Sequence, residues 1–141
     1  MTFPCEIEWV WPGDSRVIET QIARTSGELR DQLANIRAAA NEKQIAISVC
    51  VVTPKKNVFS VVLGLPYGSI LTYDGGAGGD PPYFVSLGDG EKDGRFVHYF
   101  FGGVVSELPA CFVISEELAL NALIDSVENE KLSSLIEWCE V

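Results

Sequence analysis

Two runs of aliphatic, largely β-branched residues, Ile45–Val52 and Val58–Leu65, stand either side of Pro54-Lys55-Lys56-Asn57. Such side chains suit a pleated surface, and a Pro followed by polar residues turns a chain back on itself. The pattern predicts two adjacent antiparallel strands. The rest of the fold must be arranged around this pair.

Upstream, Cys5–Val10 and Arg16–Ile22 flank Trp11-Pro12-Gly13-Asp14-Ser15, and the Pro-Gly step predicts a hairpin. Thr25-Ser26-Gly27-Glu28 then has the form of a capping box. Leu29, Leu33, Ile36 and Ala40 follow at helical spacing, so a helix is expected to run to Asn41–Lys43. Downstream, Pro66-Tyr67-Gly68 turns the chain into a strand at Ser69–Tyr73. Tyr83–Leu87 and Arg95–Phe101 read as a further hairpin across Gly88–Gly94, and Phe112–Ile114 as a short strand. Ser115 is placed to cap a second helix. Glu116 and Glu117 stand in its first turn, and Leu120, Leu123, Ile124 and Val127 form its apolar stripe. Leu135–Cys139 reads as a last extended piece. No linker or repeat interrupts this order. The expectation is one α+β domain over residues 1–141, a mainly antiparallel sheet with two helices packed on it.

Charge is distributed unevenly along this frame. Residues 1–73 carry seven acidic and seven basic side chains, whereas residues 74–141 carry thirteen acids against Lys92, Arg95 and Lys131. The net charge of −10 therefore lies wholly in the second half. Such a field repels nucleic acid and anionic membrane and attracts a basic partner. No run of about eighteen apolar residues predicts a membrane-spanning helix. The opening Met1-Thr2-Phe3-Pro4-Cys5-Glu6 lacks the basic and apolar regions of a signal peptide, so a cytoplasmic location is expected. Cys5, Cys50, Cys111 and Cys139 are too scattered for a metal-ligand spacing, and in that compartment they are expected to be reduced thiols.

The loud local motifs argue against chemistry. Gly75-Gly76-Ala77-Gly78-Gly79 resembles a phosphate loop, but no Lys follows and Asp74 and Asp80 flank it. Asp89-Gly90-Glu91-Lys92-Asp93-Gly94 has the acids and the Gly of a calcium loop's first half, yet its twelfth position is Phe100. His98, the single histidine, has no nucleophile placed by spacing to make a catalytic pair. The residues thus predict no catalysis, no cofactor and no metal.

An ordered set of short motifs closes the chain: Gly78-Gly79-Asp80-Pro81-Pro82-Tyr83, then His98-Tyr99-Phe100-Phe101-Gly102-Gly103, Glu107-Leu108-Pro109, Val113-Ile114-Ser115 and finally Glu137-Trp138-Cys139-Glu140. This set resembles the deaminase-toxin immunity family of bacterial polymorphic toxin systems, the first-numbered of the immunity-protein families. The resemblance covers roughly residues 70–141. The chain departs from it at Glu130-Lys131-Leu132-Ser133-Ser134, where family members often carry Gly and Pro. It implies a small α+β cytosolic protein without catalysis that binds and blocks a cognate toxin domain, frequently a nucleic-acid cytosine deaminase and in some members a nuclease.

A toxin acting on nucleic acid needs a basic surface, which an acidic inhibitor can occupy. On that physical ground the partner-binding residues are expected in the acidic loops, at Asp74, Asp80, Asp89, Glu91, Asp93 and Glu107. The motif aromatics Trp138, Tyr99, Phe100 and Phe101 are expected in the core, with Gly102 and Gly103 at a turn or bulge. The competing reading is an acidic adaptor or nucleic-acid mimic whose basic partner is unrelated to toxins. A third, a small hydrolase using His98 and a carboxylate, lacks any triad spacing.

Overall fold

The computed structural model describes residues 3–13, 17–74, 83–88 and 94–141. The central hairpin predicted from sequence forms as β3 (Ile47–Val52) and β4 (Val58–Leu63), paired in register from Ile47↔Leu63 to Val52↔Val58. Around it, β1 (Cys5–Val10) and β2 (Ile18–Ala23) form the first hairpin, and β1 also pairs with β3. On the other side β5 (Leu71–Asp74) pairs with β4, β6 (Phe84–Leu87) with β5, and the C-terminal β9 (Glu137–Glu140) with β6. The spatial order is β2-β1-β3-β4-β5-β6-β9.

Helix α1 (Ser26–Lys43) begins as its capping box predicts, with the Glu28 N–H donating to the Thr25 hydroxyl at 3.1 Å. It ends at Gln44, whose left-handed backbone returns its N–H to the Ala40 and Asn41 carbonyls. Helix α2 (Glu116–Asn129) is capped by Ser115, which accepts the Leu118 N–H at 3.1 Å. Both helices cover one face of the sheet. There Leu29, Leu33, Ile36 and Ala40 of α1 and Ala119, Ala122, Leu123 and Val127 of α2 meet Val49, Val51, Phe59, Val61 and Leu71. Arg37 of α1 pairs with Glu116 of α2 at 2.6 Å, and Arg30 donates to Asn121 at 3.0 Å. The architecture is α+β, two helices on a large antiparallel sheet.

The segment 130–134 begins with a local tie. Glu130 takes the left-handed conformation at the end of α2 that favours glycine. Its carboxylate accepts the Asn57 amide at 3.1 Å and the Lys55 N–H at 3.3 Å, tying the helix end to the β3–β4 turn.

The second hairpin differs from the sequence expectation. β6 does not pair with β7 (Phe96–Phe101), because β7 turns directly into β8 (Val104–Pro109). Gly102 and Gly103 have φ of 59° and 84°, the two positive values that a type I′ two-residue turn requires. That tight turn closes at a smaller entropic cost than the connection from Gly88 to Gly94. β6 is left to the C-terminal strand. Strand β8 went unrecognised because Pro109 and Glu107 are poor strand formers, and an edge strand tolerates both. Phe112–Ile114 also differs, forming the end of a 3-10 turn (Ala110–Phe112) and one bridge, Ser69↔Ile114.

All four cysteines are unpaired. Cys5 is 1 % exposed, and burial pushes its thiol up to about 11. Burial also raises the Cys50 thiol, although Ser60 contacts its Sγ at 3.4 Å. A buried thiol held above its ordinary pKa carries little reactive thiolate at pH 8. Brief treatment with an alkylating reagent at that pH is expected to modify the half-exposed Cys139 first and Cys5 only after denaturant is added. Peptide mass spectrometry reads the order, and early loss of the Cys5 thiol would mean that β1 opens independently of the sheet.

Candidate functional site

The β7–β8 hairpin lies on the face of the sheet that the helices leave uncovered. It joins through β7, whose Phe100 N–H donates to the Ala46 carbonyl at 2.9 Å beside the single parallel bridge Ile47↔Phe100. Alternation then gives the hairpin two faces. Val97, Tyr99 and Leu108 point inward onto a second apolar cluster of Val62, Ile70, Val85, Cys111 and Phe112. Burial there pushes the Tyr99 hydroxyl up to about 12. Phe96, His98 and Phe100 share the outward face with Val105, Glu107 and Pro109, opposite which they lie in register.

That outward face combines apolar area with charge. Phe96 is 48 % exposed and Val105 63 %. At its centre His98 Nε2 and Glu107 Oε2 meet at 3.0 Å, both side chains more than half exposed. Beside it an open groove of about 520 Å³ runs between Leu65-Pro66-Tyr67 and the start of β7, with Arg95, Phe96 and His98 on its wall. Tyr67 stands at its rim, 90 % exposed.

The aromatic motif therefore does not behave as core throughout, which corrects the sequence expectation. Phe101 is exposed, while Tyr99, Phe100 and Trp138 are half-buried. The reason is position. β7 pairs with the sheet only at its end, so its outward face finds no neighbour, while Phe101, on the inward face beside the turn, is not among the residues packed on the second cluster. Trp138 packs against the helix-side core and donates Nε1–H to the Ser133 carbonyl at 2.9 Å. Gly102 and Gly103 make the expected turn.

Of the expected partner-binding residues, Asp74 and Glu107 are described; Asp80, Asp89, Glu91 and Asp93 lie outside the described residues. Asp74 ends β5 opposite Val58, which pairs with Val52 at the C-terminal end of β3. Burial raises the Tyr83 hydroxyl despite a hydrogen bond with Thr72, and the Asp74 charge raises it further. Glu107 lies two positions from the Phe100↔Val105 pair, near the N-terminal end of β3. β3 is six residues long, so these two acids stand at opposite ends of a span of roughly 17 Å. The two described acids, Asp74 and Glu107, are thus not brought together.

Sequence reasoning missed Tyr67, Phe96 and Val105. The available signal was that Phe96–Phe101 is apolar on both alternating faces, more than one core can cover. The His98–Glu107 pair was also not foreseen as a contact, since β8 was not recognised. The groove's described lining carries no Ser, Thr or Cys that this pair could activate. Among the described residues no group of three or more His, Cys, Asp or Glu could hold a metal ion, and no helix is long and apolar enough to cross a membrane. No protein-family model, curated protein or solved structure matches this chain.

Proposed function

We propose that this protein is an immunity protein. It binds a cognate bacterial toxin domain in a stoichiometric complex and blocks its active site or substrate surface. The toxin is a nucleic-acid-acting enzyme with a basic face, a cytosine deaminase in the reading that the motif resemblance favours. The protein performs no catalysis itself and works in the cytoplasm, where such a toxin acts.

One observation carries the reading. The half of the chain that holds all the net negative charge also supplies the hairpin whose outward face exposes Phe96 and Val105 around Glu107. Exposed apolar anchors beside charged groups, in a half-chain of net negative charge, fit a docking surface for a basic partner. The anchors supply affinity, and the acids supply encounter rate and selectivity.

The test is stopped-flow mixing with the toxin domain encoded by the neighbouring gene, at low and at high salt. Salt shortens the Debye length to about 10 Å at 0.1 M, so exposed acids lose their reach. Association is expected to slow as salt rises. Replacing Asp80, Asp89, Glu91 and Asp93 by their amides is expected to lower the association rate more than it raises dissociation. A rate independent of both salt and these substitutions would assign the acidity to solubility alone.

A further inference from the structure

Among the described residues, the outer edge of β8 carries an unused strand-pairing surface. A two-residue type I′ turn makes Phe101↔Val104 a hydrogen-bonded pair, and such pairs then recur at every second position. The pattern is confirmed at the far end, where the Ala110 N–H donates to the Arg95 carbonyl at 2.9 Å. Tyr99↔Ser106 and Val97↔Leu108 therefore exchange backbone hydrogen bonds within the hairpin. The residues between them turn their N–H and C=O groups outward. On β7 this direction is already used, by the Phe100 N–H to Ala46. On β8 the corresponding groups belong to Val105 and Glu107, and among the described residues no other strand pairs with β8. Pro109, next in the series, has no N–H and ends the ladder.

The other two edges differ. β2 exposes Ile18 and Ile22, but its Ile22 carbonyl already accepts the Gln32 amide at 3.1 Å, and β9 is a four-residue strand with Glu137 and Glu140 at its two ends. β8 has no Lys and no bulge, and it exposes two β-branched residues, Val104 and Val105, next to its turn. Natural proteins normally protect such an edge, because it templates the addition of another strand.

We propose that the β8 edge is the docking site for an extended, Lys- or Arg-bearing segment of the partner protein, which adds to the sheet as a short strand. Resting on the immunity reading above, this names how the toxin is held. The occupant's charge follows from the edge's own. Glu107 stands mid-strand in a half-chain with thirteen acids and three bases, so a basic side chain opposite it is favoured. A second copy of this chain is the disfavoured occupant, since each copy brings a net charge of −10. Backbone hydrogen bonds at Val105 and Glu107 supply the pairing, and Val105 with Phe96 supplies apolar cover beside it.

Amide hydrogen exchange followed by NMR tests the proposal residue by residue. In the free protein the Ser106 and Leu108 amides are expected to exchange slowly and those of Val105 and Glu107 quickly. Adding the neighbouring-gene toxin domain should protect Val105 and Glu107 as well. Val105→Pro removes only an outward N–H, so the hairpin should fold normally, as circular dichroism and melting would show. Toxin affinity should fall about tenfold, the order of one lost backbone hydrogen bond. Glu107→Lys, which keeps its N–H, should also weaken binding. If the parent protein forms no complex with the toxin, the immunity reading fails and this inference with it. A complex in which the two amides stay unprotected and Val105→Pro binds like the parent would overturn the inference and leave that reading intact. Protection that appears without toxin as the protein is concentrated would assign the edge to a second copy instead.

Discussion

Phe59→Ala is expected to remove a large part of this protein's stability. Phe59 lies mid-sheet on β4 with no solvent exposure, between Val51 on one neighbouring strand and Tyr73 on the other. Its ring tilts against that of Tyr73 with centroids 4.9 Å apart, and Tyr73 in turn packs toward Phe84 at 6.4 Å. Truncation leaves a cavity that neighbours on three strands cannot collapse to fill. The cost is about 3–5 kcal/mol, set against a total of about 5–15 kcal/mol for a small domain. Tyr73→Phe is the informative companion. It keeps the ring and removes only the hydroxyl that meets Asn57 at 3.2 Å, so its cost should be about 1 kcal/mol. Urea unfolding of the three proteins measures both. A Phe59→Ala midpoint close to that of the parent would show that the β4 core repacks, contrary to the geometry here.

Gly64→Ala should rival it by a different physical route. Gly64 follows β4 with φ of +95°, and a Cβ there would collide with the Ile45 carbonyl oxygen and press on Ala46 and Ala40. Forcing an L-residue into the left-handed region costs about 1–2 kcal/mol, and overfilling a packed site adds about 1–3 kcal/mol. The obstacle is backbone just beyond α1, so no side chain can swing away. Two other glycines separate the causes. Gly94 has φ of +82° with open space around it, so Gly94→Ala should carry only the conformational cost. Gly27, in the first turn of α1, meets nothing closer than the Thr25 hydroxyl at 3.8 Å. There Ala should stabilise slightly, by up to about 1 kcal/mol. Thermal melts should rank the variants Gly27→Ala, parent, Gly94→Ala, Gly64→Ala from most to least stable. Equal melting temperatures for the last two would place the whole effect in φ and none in the contact with Ile45.

What the sequence determined by itself was local. The β3–β4 hairpin, the Thr25 and Ser115 caps, the buried stripe of α1, that of α2 apart from the half-buried Leu120, and the β1–β2 pairing were legible because each depends on residues within a few positions of one another. The α+β class followed from their order. The distribution of charge, too, was plain from the letters alone.

Which strand pairs with which was decided only by the tertiary structure. The sequence offered β6 the next strand as its partner, but the two-residue turn at Gly102-Gly103 claimed β7 for β8, and the C-terminal strand took the place beside β6. Pairing is a competition between loop closures, and no single segment contains both competitors. The same holds for the candidate site. His98 and Glu107 are nine positions apart and meet because the hairpin register aligns them. Val105 becomes an outward-facing edge residue through that register and through the absence of a further strand among the described residues. Exposure of Phe96 likewise depends on β7 pairing with the sheet at one end only. Local preference writes the elements, whereas their free edges and faces are set by what remains unpaired after the whole chain has packed.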